Sequence, residues 1–145
     1  MGNLAHILGQ RNPVLCVLRQ TDTVSEAVRI LAARELGALL VTTERGRLAG
    51  VFTERDLLRR VMALGRDPED TPLGDVMTRN PVTASPNDDR ETAISKMRRV
   101  GCRHLPVVVD GNVIDMLSMR DLLFVEIEER RSEVVQLRAY INGSY

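Results

Sequence analysis

The sequence is poor in the residues that build disulfide frameworks, metal centres and aromatic platforms. Its 145 residues include two cysteines, two histidines, no tryptophan and only 3% aromatic residues. Cys16 and Cys102 lie inside apolar segments, which favours reduced core thiols over a disulfide framework. The histidines and cysteines also lack the spacing of metal ligands, so the sequence predicts no metal site.

Charge of one sign and long apolar runs are missing as well. Twenty basic residues balance twenty acidic ones, so no global field favours nucleic acid or an anionic membrane. No stretch approaches the roughly 20 apolar residues of a membrane span, and residues Met1 to Gln10 lack the apolar run and cleavage site of a signal peptide. We therefore expect a cytoplasmic protein with neither a membrane nor a nucleic-acid partner. The length and 43% hydrophobic content suit one globular domain with a real core.

The feature that organises the chain is an internal repeat. Residues Gly50 to Leu58 run from an apolar strand-like segment into a helix-like pattern, and Asp115 to Leu123 do the same. The offset between the copies drifts from 68 to 65 residues, as small loop differences would produce. The matched features are Arg11 to Val14 with Arg79 to Val82, Gly46 with Gly111, Thr53 with Ser118, and Asp56 with Asp121.

Each half reads as strand, helix, hairpin and helix. Apolar runs predict the strands, caps and 3.6-residue periodicity predict the helices, and a glycine marks each hairpin turn. The last helix is longer than its counterpart, which suggests that it reaches a partner or folds back across the module. The predicted elements are strands at Val14 to Leu18 and near Val82 to Ala84, helices at Val24 to Leu36, Thr53 onward, Arg90 to Val100 and Leu122 to Ile141, and hairpins at Ala38 to Phe52 and around Leu105 to Val109.

A half of about 60 residues buries little apolar surface alone. We therefore predict an α+β fold in which two β-α-β-β-α repeats pack sheet to sheet with pseudo-two-fold symmetry, followed by the long carboxyl-terminal helix. The predicted boundaries are residues 1–66 for the first repeat, 67–128 for the second and 129–145 for the helical extension, all within one integrated module.

The repeated helix start has two interpretations. In the first, Thr53 with Asp56 and Ser118 with Asp121 are capping boxes that satisfy free amides. In the second, the helix amides and a neighbouring Arg55 or Arg120 attract a phosphate, while the carboxylate accepts hydrogen bonds from ribose hydroxyls. The second combination describes a nucleotide better than a bare anion.

These residues carry a resemblance to a tandem pair of CBS domains, the Bateman module, and to small stand-alone bacterial proteins of that kind. The resemblance covers about residues 4–124. It rests on an apolar strand followed by Thr or Ser, two residues, Asp and an apolar helix, found twice in order. Arg103 to Val108 and Gly37 to Val41 support it in the second and first repeats.

The resemblance implies a regulatory protein, not an enzyme. It implies that clefts between the sheets bind AMP, ADP, ATP or NAD, that no cofactor is required, and that the chain senses ligand or energy state as a homodimer through a change in repeat orientation or dimer geometry. The implied contacts are Asp56 and Asp121 for ribose, Thr53 and Ser118 for phosphate or ribose, Arg103 and His104 for phosphate, and Thr78 near the base, with Arg55, Arg120 and Ala38 completing the set.

Three departures from the family pattern bear on these expectations. Asp115 stands where the second repeat usually has glycine, and an extra carboxylate there disfavours phosphate unless it points outward. Asp89-Arg90 replaces the usual hydroxyl and apolar pair, which predicts a weakened helix start. Gly37-Ala38 in the first repeat aligns with Arg103-His104 in the second, so we expect clefts of unequal charge and occupancy.

Two other function classes compete with the sensor. Asp115 favours a structural alternative, a ligand-free dimerisation or interaction module that works through its long helix. An enzyme is poorly supported, because His104 has no nucleophile or carboxylate partner marked by the sequence.

Overall fold

The computed structural model describes residues 3–13 and 15–143, and it confirms the predicted α+β class. A short helix precedes the first repeat, and each repeat then contributes strands and helices in the predicted order. In chain order the elements are α1 (Leu4–Leu8), β1 (Val17–Arg19), α2 (Val24–Arg34), β2 (Ala38–Thr42), β3 (Leu48–Thr53), α3 (Glu54–Asp56, continuing as a π-helical segment Leu57–Met62), α4 (Leu73–Val76), β4 (Thr78–Arg79), α5 (Arg90–Val100), β5 (His104–Val109), β6 (Asn112–Ser118) and α6 (Met119–Ile141).

The two repeats form sheets of different size. The first sheet has the order β1-β2-β3-β4, in which β1 and β2 are parallel and the other neighbours antiparallel. The second sheet is the antiparallel pair β5-β6. The strand predicted near Val82 to Ala84 was wrong in extent, because only Ala84 forms a parallel bridge, to Val107. The strand predicted from Val14 begins at Val17, and Val14 itself lies outside the described residues.

Three groups of buried side chains hold the module together. Each repeat has its own core, centred on Phe52 and Leu39 in the first and on Leu105 and Leu117 in the second. A third, smaller group joins the inner faces of the two sheets. It consists of buried Ala38, Leu40, Val51 and Met116, with Leu48 and Val113 packed against them.

The segment that leads into each repeat packs on the opposite repeat. Leu4 and Ile7 of α1 are buried in the core of the second repeat. Leu73 and Val76 of α4, which precede the second repeat, are buried in the core of the first. The two halves are therefore interlocked, and each leading segment is brought close to the other half's repeated motif.

The start of α5 corrects one expectation. Asp89 accepts a hydrogen bond from the Thr92 amide at 2.6 Å, so the carboxylate caps the helix and the helix start is not weakened. Arg90 is buried and bonds Glu129 of α6 at 2.8 Å, which ties the two helices together. No helix within the described ranges is both long and apolar enough to cross a membrane.

Candidate functional site

The two copies of the repeated motif fold into matching helix starts. The Thr53 hydroxyl accepts the Asp56 amide at 3.2 Å, and the Asp56 carboxylate accepts the Thr53 amide at 3.0 Å. Ser118 and Asp121 make the same reciprocal bonds at 3.1 and 2.8 Å. Both are capping boxes, so the capping interpretation is confirmed. Capping uses one oxygen of each carboxylate and does not by itself exclude a ligand.

Asp56 is enclosed by groups of its own chain. Only 4% of the residue is exposed. The Thr78 hydroxyl donates to its two oxygens at 3.0 and 3.2 Å, and the Arg60 guanidinium lies 3.6 Å away. The sequence-predicted residues Thr53, Asp56 and Thr78 thus lie together, with Thr78 supplied by the segment that leads into the second repeat.

Gly50 makes this arrangement possible. It pairs with Arg79 of β4, and a Cβ at this position would lie 2.5 Å from the Thr78 carbonyl oxygen and 2.8 Å from the Met77 sulfur. Only glycine leaves room for the backbone to approach so closely. β4 can therefore join the first sheet and place Thr78 against Asp56.

The second motif is organised around an arginine that the sequence reasoning missed. Arg11 donates from Nε and Nη2 to the two Asp115 oxygens at 3.2 and 2.7 Å. Its Nη2 also donates to the Met116 carbonyl at 2.9 Å, and its Nη1 lies 3.1 Å from Asp121 Oδ2. Arg11 thus neutralises the buried Asp115 and contacts Asp121, the predicted ribose ligand.

The exchange of glycine for aspartate accounts for one difference between the sheets, the presence of β4 beside β3. In the first repeat Gly50 admits a pairing strand, whereas Asp115 in the second repeat presents a carboxylate that is 2% exposed. The Arg11 side chain bonds this carboxylate and the adjacent Met116 carbonyl. Asp115 points inward, and Arg11 compensates its charge. The recurrence of Arg11-Asn12-Pro13 as Arg79-Asn80-Pro81 was the sequence signal that could have identified Arg11. It would not have identified the partners, because the side chains of Arg11 and Arg79 bond different groups.

His104 lies where the two repeats meet. Its ring atoms are 3.2 and 3.4 Å from the position of a Cβ on Gly37, and Glu54 Oε1 is 3.3 Å from the same point. Burial lowers the pKa of His104 below its ordinary value, although the carboxylates of Asp121 and Glu54 act to raise it. The neutral form is therefore favoured, and carboxylates from both repeats act on His104.

The remaining predicted residues are spread around this junction. Arg55 donates to the Gly101 carbonyl at 3.0 Å, so one nitrogen of its guanidinium takes part in a contact between the repeats. Ala38 is buried between the sheets, whereas Arg103 and Arg120 are exposed. The sulfur of Cys102 is near Arg55, but burial dominates and raises the pKa of its thiol.

Two surface cavities of the described chain lie away from these residues. One, of about 480 Å³, is lined by β1 and the β2–β3 turn, including Arg19, Asp22 and Glu44. The other, of about 340 Å³, lies at the start of α5. Between the sheets the Ala38 and Met116 side chains are packed in one group of buried residues. Among residues 3–13 and 15–143, no group of three potential metal-ligating side chains is found.

The protein-family comparison matches both halves of the chain. The CBS domain model fits residues 7–63 and 73–128. A CBS domain-containing protein of Arabidopsis thaliana, CBSX3, mitochondrial, is 38% identical over 128 residues, which are 86% of this chain and 62% of that protein. Another relative from the same plant, CBSCBSPB2, is 36% identical over 82% of this chain but only 22% of its own length. The chain thus spans less than two thirds of these curated relatives.

Solved structures agree with this assignment. The CBS domain structure of NE2398 has a TM-score of 0.81 and 33% identity, covering 86% of this chain and 97% of that one. The CBS domain protein PAE2072 from Pyrobaculum aerophilum, solved in complex with AMP, has a TM-score of 0.73 and 30% identity, covering 82% of this chain and 88% of that one. The chain therefore belongs to the CBS-domain family and carries a tandem pair of CBS domains.

Proposed function

We propose that this CBS pair binds an adenosine nucleotide, such as AMP, ADP, ATP or NAD, and acts as a ligand or energy sensor in the form of a homodimer. CBS domains are generally regulatory, non-catalytic modules. The observation that carries the proposal is that each repeated aspartate meets a side chain from the other repeat's leading segment, Thr78 at Asp56 and Arg11 at Asp121. A ligand held at either place would touch both repeats.

The proposed contacts follow from the chemistry of the groups. Asp56 and Asp121 accept hydrogen bonds from ribose hydroxyls, as acidic residues do in dinucleotide sites. Helix amides and positive side chains attract phosphate. The AMP complex of the related PAE2072 supports this class of ligand. The proposed phosphate contacts are Thr53, Arg55, Arg103, His104, Ser118 and Arg120, with Thr78 and Ala38 near the base.

The two sites differ in what a ligand must displace. At Asp56 it displaces a neutral hydroxyl, from Thr78. At Asp121 it displaces the guanidinium of Arg11, which is anchored to buried Asp115. A carboxylate is held more strongly by a charged guanidinium than by a neutral hydroxyl, so we propose that the Asp56 site fills first. Calorimetry with AMP would then give one tight site per chain, and Asp56→Asn would remove it. Retention of the tight site in Asp56→Asn would contradict the proposal that the Asp56 site fills before the Asp121 site.

Regulation would follow from a shift in population. A ligand that bridges both repeats favours the repeat orientation in which both sets of contacts are made. The dimer or a protein target would read that orientation. Exposed apolar side chains on the helices that follow the motifs support a homodimer, among them Leu58, Met62, Leu123 and Ile127. The cytoplasmic location stays a prediction, and one relative is named as mitochondrial.

Asp121→Ala provides the central test, with Asp89→Ala as its matched control. Both variants lose a carboxylate that caps a helix, Asp89 at the N-cap of α5 and Asp121 at the third residue of α6, so both should lower the stability of the chain modestly. Only Asp121 belongs to the proposed site. We expect calorimetry against AMP, ADP, ATP and NAD to show weakened binding at the second site in Asp121→Ala and unchanged binding in Asp89→Ala. Equal nucleotide affinities in the two variants would show that Asp121 caps the helix and does not bind the nucleotide.

A structural module without ligand is the second candidate. The observation that favours it is the saturation of Asp56 and the pairing of Asp121 with Arg11 inside the chain. Thermal unfolding separates the two functions, because a ligand at 100 times its dissociation constant stabilises the folded chain by about 2.7 kcal/mol. No shift in melting temperature with any of the four nucleotides would reject the sensor and favour the structural module.

A further inference from the structure

Helix α6 continues well past the body of the protein. Its first turns are anchored by buried Leu122, by half-buried Val125 and by the Arg90–Glu129 ion pair. Every residue from Arg130 to Arg138 is exposed. At 1.5 Å per residue the 23-residue helix is about 35 Å long, and an exposed helical extension of this kind gains little stability without a packing partner.

A stripe of apolar side chains runs along this helix, which we call the seam. Its members are between 44% and 72% exposed. They follow the alternating four- and three-residue spacing of heptad positions a and d. Ile127, Val134 and Ile141 occupy the a positions, and Leu123 and Leu137 occupy d positions with Arg130 between them.

The residue types on the seam specify a partner geometry. β-branched residues at a combined with leucine at d favour two parallel strands in coiled coils. Between Leu123 and Ile141, Arg130 is the single charged residue at an a or d position, and it bonds Glu126 on its own helix at 3.3 Å. A charged residue at a core position costs stability in a coiled coil, so Arg130 is a weak point of the seam.

The charges beside the seam favour the same geometry. Glu126 and Glu133 occupy g positions, and Arg131 and Arg138 occupy e positions. In a parallel pair each g residue faces the e residue five positions later on the other helix. Glu126 would face Arg131 of the partner subunit, and Glu133 would face Arg138 of the partner subunit. In an antiparallel pair g would meet g and e would meet e, which brings like charges together.

The seam is also free to meet a second copy. Successive helical residues are about 100° apart, so the seam lies about 120° around the helix from the Leu122 and Val125 side chains that face the body. We propose that α6 pairs with α6 of a second copy in a parallel two-stranded coiled coil along the seam. The inference rests on the homodimer proposed above and is independent of nucleotide binding.

A cysteine cross-link tests the parallel arrangement. Leu137→Cys places two thiols opposite each other across a parallel dimer, whereas Ser132→Cys places them on the outer face. Both variants carry Cys102→Ser, because Cys102 is partly accessible, whereas Cys16 is buried. Under mild oxidation we expect a disulfide-linked dimer for Leu137→Cys only. No cross-link at Leu137, or equal cross-linking at Ser132, overturns the parallel seam.

Charge reversal tests the flanking pairs. Glu133→Arg and Arg138→Glu each replace an attraction by a repulsion on both sides of the dimer. We expect each to raise the dissociation constant measured by sedimentation equilibrium by about tenfold, and the double variant to return to near the wild-type value. A double variant no tighter than either single variant overturns the assigned pairing.

Val134→Asp separates this inference from the broader proposals. Two carboxylates in the apolar seam would raise the dimer dissociation constant by about 100-fold or more, while circular dichroism confirms folding and calorimetry with AMP reports nucleotide binding independently. A Val134→Asp variant that still dimerises like wild type overturns the seam but keeps a homodimer through another face. A wild-type chain that stays monomeric at all concentrations overturns both, and neither result bears on nucleotide affinity.

Discussion

Removing the guanidinium of Arg11 should destabilise the protein, because this side chain joins two carboxylates of the second repeat. Arg11 makes two bonds to Asp115, one to the Met116 carbonyl and one ion pair to Asp121. Asp115 is 2% exposed, so Arg11→Ala leaves its charge buried without this partner. Breaking a buried ion pair costs about 3–5 kcal/mol.

The structure argues for a loss at or below the lower end of that range. The Arg11 side chain is 22% exposed, so water can enter once it is truncated. The Met116 amide still donates to Asp115 at 2.7 Å. We therefore expect Arg11→Ala to lower the free energy of unfolding by about 2–3 kcal/mol at neutral pH.

Urea unfolding at fixed protein concentration measures this loss. Arg79→Ala is the matched control, because Arg79 holds the equivalent place in the repeat but is exposed and bonds only a carbonyl, that of Gly74 at 2.6 Å, among its described contacts. We expect it to lose no more than about 1 kcal/mol.

A double-mutant cycle with Asp115→Asn identifies the cause. Once the charge of residue 115 is gone, Arg11→Ala has no buried carboxylate to strand, and the two losses should be non-additive by about 1–2 kcal/mol. The reasoning is refuted if Arg11→Ala costs no more than Arg79→Ala, or if the losses in the cycle simply add.

Three further substitutions test the motifs. Gly50→Ala should cost about 1–3 kcal/mol, because its Cβ would meet the Thr78 carbonyl at 2.5 Å; an unchanged urea midpoint would show that β4 can move at little cost. Ser118→Ala removes the hydroxyl cap of α6 and should cost about 1 kcal/mol in the same assay, whereas Ser118→Thr should retain most of it. The lowered pKa of buried His104 means that, as pH falls below its ordinary value of 6.5, the unfolded chain gains a proton before the folded chain does. Stability should therefore fall between that value and the lower folded pKa, then level off; His104→Gln should reduce this slope, and an identical pH profile would exclude the histidine as its source.

Most of the fold could be predicted because its signals are local. The helix at Arg90–Val100 and the hairpin turn at Asp110 and Gly111 follow from periodicity and turn chemistry, and the structure has them where the sequence predicted. The capping boxes were also predictable, since the partners lie three residues apart. The prediction of a weakened α5 start was wrong, because Asp89 departs from the family pattern but its carboxylate still accepts the Thr92 amide as an N-cap.

The candidate site was predicted only in part. The contacts of Thr53 with Asp56 and of Ser118 with Asp121 were predictable, because each pair lies at one helix start. The replacement of a glycine by Asp115 was also visible in the sequence, but the residue that pairs with the Asp115 carboxylate could not be predicted. Arg11 is 104 residues away along the chain, and no periodicity connects the two positions.

The sequence by itself determined the duplicated fold, the two capped helix starts and the heptad spacing of α6, since these depend on neighbours within a few turns. The tertiary structure alone decided that each leading segment crosses to the opposite repeat, which places α1 in the second core and Thr78 against Asp56. The same crossing sets Arg11 between Asp115 and Asp121. Such contacts join residues far apart in the chain, and their partners are selected by how two cores bury their apolar surface together, which no local pattern encodes.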